Sequence, residues 1–250
     1  MLYAIIPIYK KVVTAMQDKY AGDIGDFGKY ILLNKIYEKS DGKIKLGINW
    51  FYVKDDRTNG YLKDERYKKC FQDFQKLDDL KKIVSDGRSI KRIEETGILP
   101  KTTIFYSEPI PSSSKRECWF ENSLKILENA DIIFLDPDNG IRTNKVERKP
   151  KAAAKYVFID EIEKYYEFGK SLIIYNHFDR KPKEYNKKIN EIKNNINQEI
   201  EIKVLRFKKV SVRDFIFLIQ KPHQNLLDRT INNLLNKPYD FLFEKVKGLP

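Results

Sequence analysis

Short continuous apolar runs alternate along this chain with stretches whose apolar residues recur at helical spacing, so strands and helices are expected in turn. Residues 26–39 place Phe27, Tyr30, Ile31, Leu33, Ile36 and Tyr37 close to helical spacing and end near Asp41 and Gly42, which predicts a helix. Residues 44–53 suit the strand that follows, and 55–60 a loop. Helices are expected over about 64–75, 77–86 and 89–96, the last stopped by Gly97. A strand at 102–106, a helix at 121–129 and a strand at 131–135 come next, then a helix at 160–168 closed by Gly169 and a strand at 171–175. Alternation of this kind builds a mostly parallel sheet. The pattern then changes. A very polar helix at 183–197 precedes two β-rich runs, 199–207 and 214–219, near enough to pair antiparallel; an amphipathic helix at 226–235 leads to the aromatic end at Tyr239, Phe241 and Phe243.

Within this pattern residues 130–140 are the most informative: an apolar strand ends abruptly in Asp136, Pro137, Asp138, Asn139 and Gly140. A strand apolar on both faces belongs in a buried parallel sheet, and the C-terminal edge of such a sheet is where open α/β folds place ligands. Candidate chemistry therefore centres on Asp136. Ahead of the first helix, Gly22, Gly25 and Gly28 are spaced by three, with Asp23, Asp26 and Lys29 among them. Glycine allows close backbone approach, and a helix N-terminus offers amides and positive charge to an anion, so this turn is a candidate cradle for a nucleotide-like ligand. Asp23 and Asp26 equally suit simple helix caps.

Charge points the same way. Lys plus Arg number 48 against 36 Asp plus Glu, a formal net charge of +12, which favours an anionic partner such as nucleic acid. A general enrichment in lysine is the competing explanation. Cys70 and Cys118 stand far apart and in no metal-ligand spacing, which fits a reduced, cytoplasmic compartment and no zinc site. The apolar run at 2–6 is too short to span a bilayer and its charges follow rather than precede it, so no membrane association is expected; residues 1–15 read as an appended strand or an extension.

Residues 22–30 resemble the N-terminal Gly-Asn-x-Ala-Asp-Val-Leu-Lys-His segment of the RlmJ-type ribosomal RNA adenine N6-methyltransferases, matching without a gap at Gly22, Asp26 and Lys29. Later stations fall in the family's order: a strand at 44–53, Asp136-Pro137-Asp138-Asn139 for its Asp-Pro-Pro-Tyr, residues 174–177 for its Trp-Tyr-Pro strand, and 219–222 for its closing Asn-Pro-Pro-like run. The resemblance spans about residues 18–222 and agrees with what the alternation and the late antiparallel pair predict by themselves: a single α/β domain over 1–250, a Rossmann-like methyltransferase-type mostly parallel sheet with a C-terminal antiparallel pair and a helical insertion at about 64–100. It also implies S-adenosylmethionine as cofactor and RNA or DNA as partner. Asp136 would accept a hydrogen bond from the target amino group, with Lys29 and His177 beside it in the catalytic site. Gly22, Asp23, Gly25, Asp26 and Tyr30 would face the cofactor, and Asp138, Asn139, Tyr175 and Asn176 the substrate. The chain departs from the family in two places. Asp138 and Asn139 replace a proline and the aromatic that stacks on the base, leaving Tyr175 or Phe178 to do so, and no glycine-rich loop follows the first strand, where Gly47 leads into Ile48, Asn49, Trp50 and Phe51.

Those departures keep two other readings open. Asp136 and Asp138, with Glu108 and Asp160 nearby, could hold Mg²⁺ or Mn²⁺ in a nuclease, since hard cations take several oxygen ligands. A degenerate methyltransferase fold that only binds nucleic acid is the other, and Asp-x-Asp-Asn-Gly also serves as plain turn chemistry. His177, directly after a strand, suits a base or a substrate-orienting group with Asn176 and Asp179 as partners, whereas His223 reads as a surface residue. Basic and aromatic residues interleave at 181–188 and 206–209, a pattern that meets phosphates with cations and bases with rings, or forms a solvated lysine face.

Overall fold

The computed structural model describes residues 18, 21–22, 24–53, 83, 87–111, 113–142, 153–178, 182–196, 199–209 and 212–248. Asp23, the extension at 1–15, the helices expected at 64–75 and 77–86 apart from Ile83, and residues 179–181 lie outside them.

Strands β1 (Leu46–Asn49), β2 (Ile104–Tyr106), β3 (Ile132–Leu135) and β6 (Ser171–His177) run parallel in the order β2-β1-β3-β6. The expected antiparallel pair continues the same sheet: β8 (Arg213–Ile219) inserts against β6, β7 (Glu201–Phe207) lies outside β8, and β9 (Phe243–Lys245) closes the edge. This is a mixed seven-stranded sheet with a parallel core, an α/β Rossmann-like fold. A separate parallel pair, β4 (Ile141–Arg142) with β5 (Val157–Phe158), and strand β9 are too short to carry a sequence signal of their own.

Side-chain alternation splits the sheet into two faces. Ile48, Phe134, Ile173, Tyr175, Phe207 and Phe215 pack with helices α1 (Ile24–Lys39), α2 (Ile90–Glu95) and α6 (Gln224–Leu234). Ile133, Leu135, Ile174 and Ile216 face α3 (Arg116–Ile126), α4 (Ile159–Glu167) and α5 (Pro182–Asn195). α1 ends as its sequence predicts, where Asp41 and Gly42 turn to positive φ. Its N-terminal half goes further than an amphipathic stripe, because residues 25–33 are all buried, Lys29 included.

Besides α3, which starts at Arg116 rather than at 121, and β6, which runs through His177 rather than ending at 175, two expectations change. The strand expected over 44–53 is only Leu46–Asn49, because Phe51 takes φ 48 and the chain leaves the sheet; the Asn49 carboxamide secures this turn by accepting from the Phe51 N–H at 3.1 Å. His223 is half-buried rather than at the surface, with Nδ1 2.9 Å from the Ser171 hydroxyl.

Candidate functional site

Because β1, β2, β3 and β6 are parallel, their C-terminal ends share one edge, and Asp136 and His177 both stand on it. The chain passes from β1 outward to β2 and then returns to β3 on the other side of β1, so the strand order reverses between β1 and β3. A reversal of this kind opens the crevice where such sheets bind ligands. Asp136 stands at this reversal, 1% exposed: its main-chain N–H donates to the Asn49 carbonyl at 2.9 Å, extending the β1–β3 ladder by one rung.

Lys29 reaches this edge from α1. Its Nζ lies 2.7 Å from Asp136 Oδ2 and 2.9 Å from Asp26 Oδ1, with all three residues 3% exposed or less. The same ammonium stands 4.3 Å over the Tyr175 ring. Asp26 Oδ2 accepts from the Gly22 N–H at 2.7 Å and the Tyr30 hydroxyl at 3.1 Å, which pins the glycine turn to the helix it precedes. The sequence-matched trio Gly22, Asp26 and Lys29 is therefore one connected unit ending on Asp136. Gly28 serves packing: a Cβ there would meet the Phe207 ring at 2.9 Å.

The turn after Asp136 is anchored to β6. Gly140 has φ 83, and an added Cβ would lie 2.0 Å from Asn176 Oδ1. That oxygen accepts from the Ile141 N–H at 3.0 Å while Asn176 Nδ2 donates to the His177 carbonyl at 2.7 Å. Asn139 donates its main-chain N–H to the Lys155 carbonyl, and Lys155 Nζ meets Asp138 at 3.1 Å. Asn176 is thus a bracket between strand and turn. Tyr175, 7% exposed, lies beneath Lys29 and Arg213 and against Phe134 and Phe215, so its ring is covered. Phe178 is the exposed ring at this edge, 39% exposed, with the Arg206 guanidinium 4.3 Å from its centroid.

Burial and the nearby Arg213 push the His177 imidazole down to about 4, so it is neutral at physiological pH. Asp138 and its backbone act in the opposite direction, and the His177 Nε2 is buried without a hydrogen-bond partner among the described residues. Arg213 stands directly opposite on β8.

Glu108 lies apart from the aspartates, on an open groove of about 730 Å³ walled by Tyr106, Lys115, Cys118 and Trp119 but by neither Asp136 nor Asp138. Among the described residues no group of three His, Cys, Asp or Glu side chains is placed to hold a metal ion. Trp50 and Phe51, each 1% exposed or less, fill the end of β1, and the Gly22 amide is already bonded to Asp26.

Arg206 of the basic 206–209 run is bidentate to Asp214 at 2.7 and 3.1 Å, and Phe207 is buried in the core. Sequence reading passed over Arg213 and Lys155, which lie at no motif, and Arg116, which is buried and bidentate to Glu161 at 2.6 and 2.9 Å beneath the β4–β5 pair. Alternation along β8 is the signal that could have found Arg213, as it shares the buried face of Phe215 and Phe217. No helix among the described residues is long and apolar enough to cross a membrane. No protein-family model matches the chain, and a comparison with curated proteins finds no relative.

Proposed function

We propose that this chain is a nucleic-acid-binding protein on a methyltransferase-like fold, with the strand-end carboxylate of Asp136 receiving the exocyclic amino group of a base such as adenine. One observation carries the reading: at the β1–β3 reversal, Asp136 already accepts an N–H donor, the Lys29 ammonium, at 2.7 Å. A base amino group presents the same kind of donor, and Asp26 at 2.9 Å keeps a carboxylate for Lys29 if the base takes its place on Asp136. Phe178, exposed and backed by Arg206, supplies a ring on which a base can stack. The net charge of +12 supports an anionic partner.

Methyl transfer to adenine N6 is the second reading, favoured by the position of Asp136 at the fold's ligand crevice and by the order of motifs along the chain. Calorimetric titration of the full chain with single-stranded RNA and DNA, S-adenosylmethionine and Mn²⁺ separates the readings. Nucleic-acid affinity that is lost in Asp136→Ala, without cofactor or metal binding, is the expected result. Cofactor binding moves the assignment to a methyltransferase, Mn²⁺ dependence to a nuclease, and no affinity for either nucleic acid overturns the proposal.

A further inference from the structure

Among the described residues Arg213 stands out at the strand-end edge because it is half-buried and meets no carboxylate. Three cations at this edge each meet a carboxylate: Lys29 has Asp26 and Asp136, Lys155 has Asp138, and Arg206 has Asp214. Half-buried Arg213 has none among the described residues. Its Nη1 donates to the Val212 carbonyl, its guanidinium lies 5.6 Å from the Tyr175 ring centroid, and its Nε is buried with no acceptor. Directly across the β6–β8 ladder is His177, whose Nε2 is buried with no donor. Residues opposite one another in an antiparallel pair project from the same face, so these two unmet polar atoms belong to one place. Buried polar atoms without partners are rare and costly, and two adjacent ones of opposite kind ask for one ligand carrying an anionic oxygen next to a hydroxyl donor.

A nucleotide of RNA carries that pair, a phosphate beside a ribose 2′-hydroxyl, whereas DNA has the phosphate alone. We infer that Arg213 and His177 form a ribose-phosphate subsite that selects RNA over DNA, Arg213 donating to a phosphate oxygen and His177 Nε2 accepting the 2′-hydroxyl proton in a hydrogen bond. The groups facing His177 agree with this role: Arg213 and Lys155 disfavour its protonation, Asp138 favours it, and burial dominates, so Nε2 remains an acceptor at neutral pH. The inference rests on the nucleic-acid reading above and narrows it to RNA.

The test is fluorescence-anisotropy titration of the full chain with three single strands of one sequence, as RNA, DNA and 2′-O-methyl RNA. RNA binds about tenfold tighter than the other two, the worth of one well-made hydrogen bond to an otherwise unmet group. His177→Phe brings the RNA-to-DNA ratio to about one, while His177→Gln, whose carboxamide oxygen reaches the position of Nε2, keeps a preference. Arg213→Gln weakens RNA binding and flattens its salt dependence. Circular dichroism and thermal melts confirm that each variant is folded. Equal affinity of the wild-type chain for RNA and DNA overturns the subsite and leaves nucleic-acid binding standing, as does a His177→Phe protein that is folded and keeps its preference. Affinity for none of the three strands overturns both.

Discussion

Replacing Lys29 with methionine tests whether the Asp26–Lys29–Asp136 unit holds the candidate site together. Among the described residues the group contains two carboxylates and one ammonium, a net charge of −1, in surroundings where no member is more than 4% exposed. Lys29→Met takes that charge to −2 and removes the ammonium from both acids. Asp136→Asn takes it to zero and keeps the 2.9 Å contact between Lys29 and Asp26. Removing one member of a buried pair costs about 3–5 kcal/mol, because the remaining charge loses its compensation. Lys29→Met should therefore lower stability by about that amount, about 10 °C in melting temperature for a chain of this size. Asp136→Asn should cost no more than about 1 kcal/mol, since the carboxamide can still accept from Lys29. Urea titration followed by the fluorescence of Trp50 and Trp119, both buried, reads the two changes on one scale. A Lys29→Met protein as stable as Asp136→Asn would refute the argument. Nucleic-acid binding should fall in both variants, for the amino-group acceptor is weakened in one and its holder lost in the other.

The pH dependence of stability follows from His177. Its folded-state value of about 4 lies below the ordinary 6.5, so as pH falls the unfolded chain takes up the proton first. Stability from the neutral imidazole is complete above about pH 6.5 and is lost between there and about pH 4, at most about 3 kcal/mol. Urea midpoints at pH 7.5 and 4.5 should differ less in His177→Phe than in the wild type, and an unchanged difference counts against this origin. Gly140→Ala should cost about 2 kcal/mol or more in a thermal melt, because its Cβ collides with Asn176 and the residue must hold φ 83. Arg116→Met should destabilise by about 3–5 kcal/mol and Glu161→Gln by less, as Arg116 also donates to the Ala153 and Tyr156 carbonyls; equal losses would mean that the charge pair, not the backbone bonds, dominates.

Periodicity alone determined the helix–strand alternation, the buried β3 strand, the late antiparallel hairpin and the glycine stops at Gly97 and Gly169, because each depends on local spacing or on a backbone conformation that one residue type favours. It also placed Asp136 and His177 at strand ends, and a shared edge follows once the strands are parallel. The sequence did not contain the order of those strands. That Asp136 stands at the β1–β3 reversal, that Lys29 crosses 107 positions of sequence to meet it, and that Arg213 lies opposite His177 are products of strand pairing between distant segments. The end of β1 is not legible in the sequence for the same reason: Trp50 and Phe51 have strand-like composition, yet Trp50 Nε1 bonds Glu94 and Phe51 packs on Trp119, both far along the chain. Hydrophobic pattern records which face of an element is buried, while the partners that bury it, and the charges they bring together, are fixed only when the sheet closes its order.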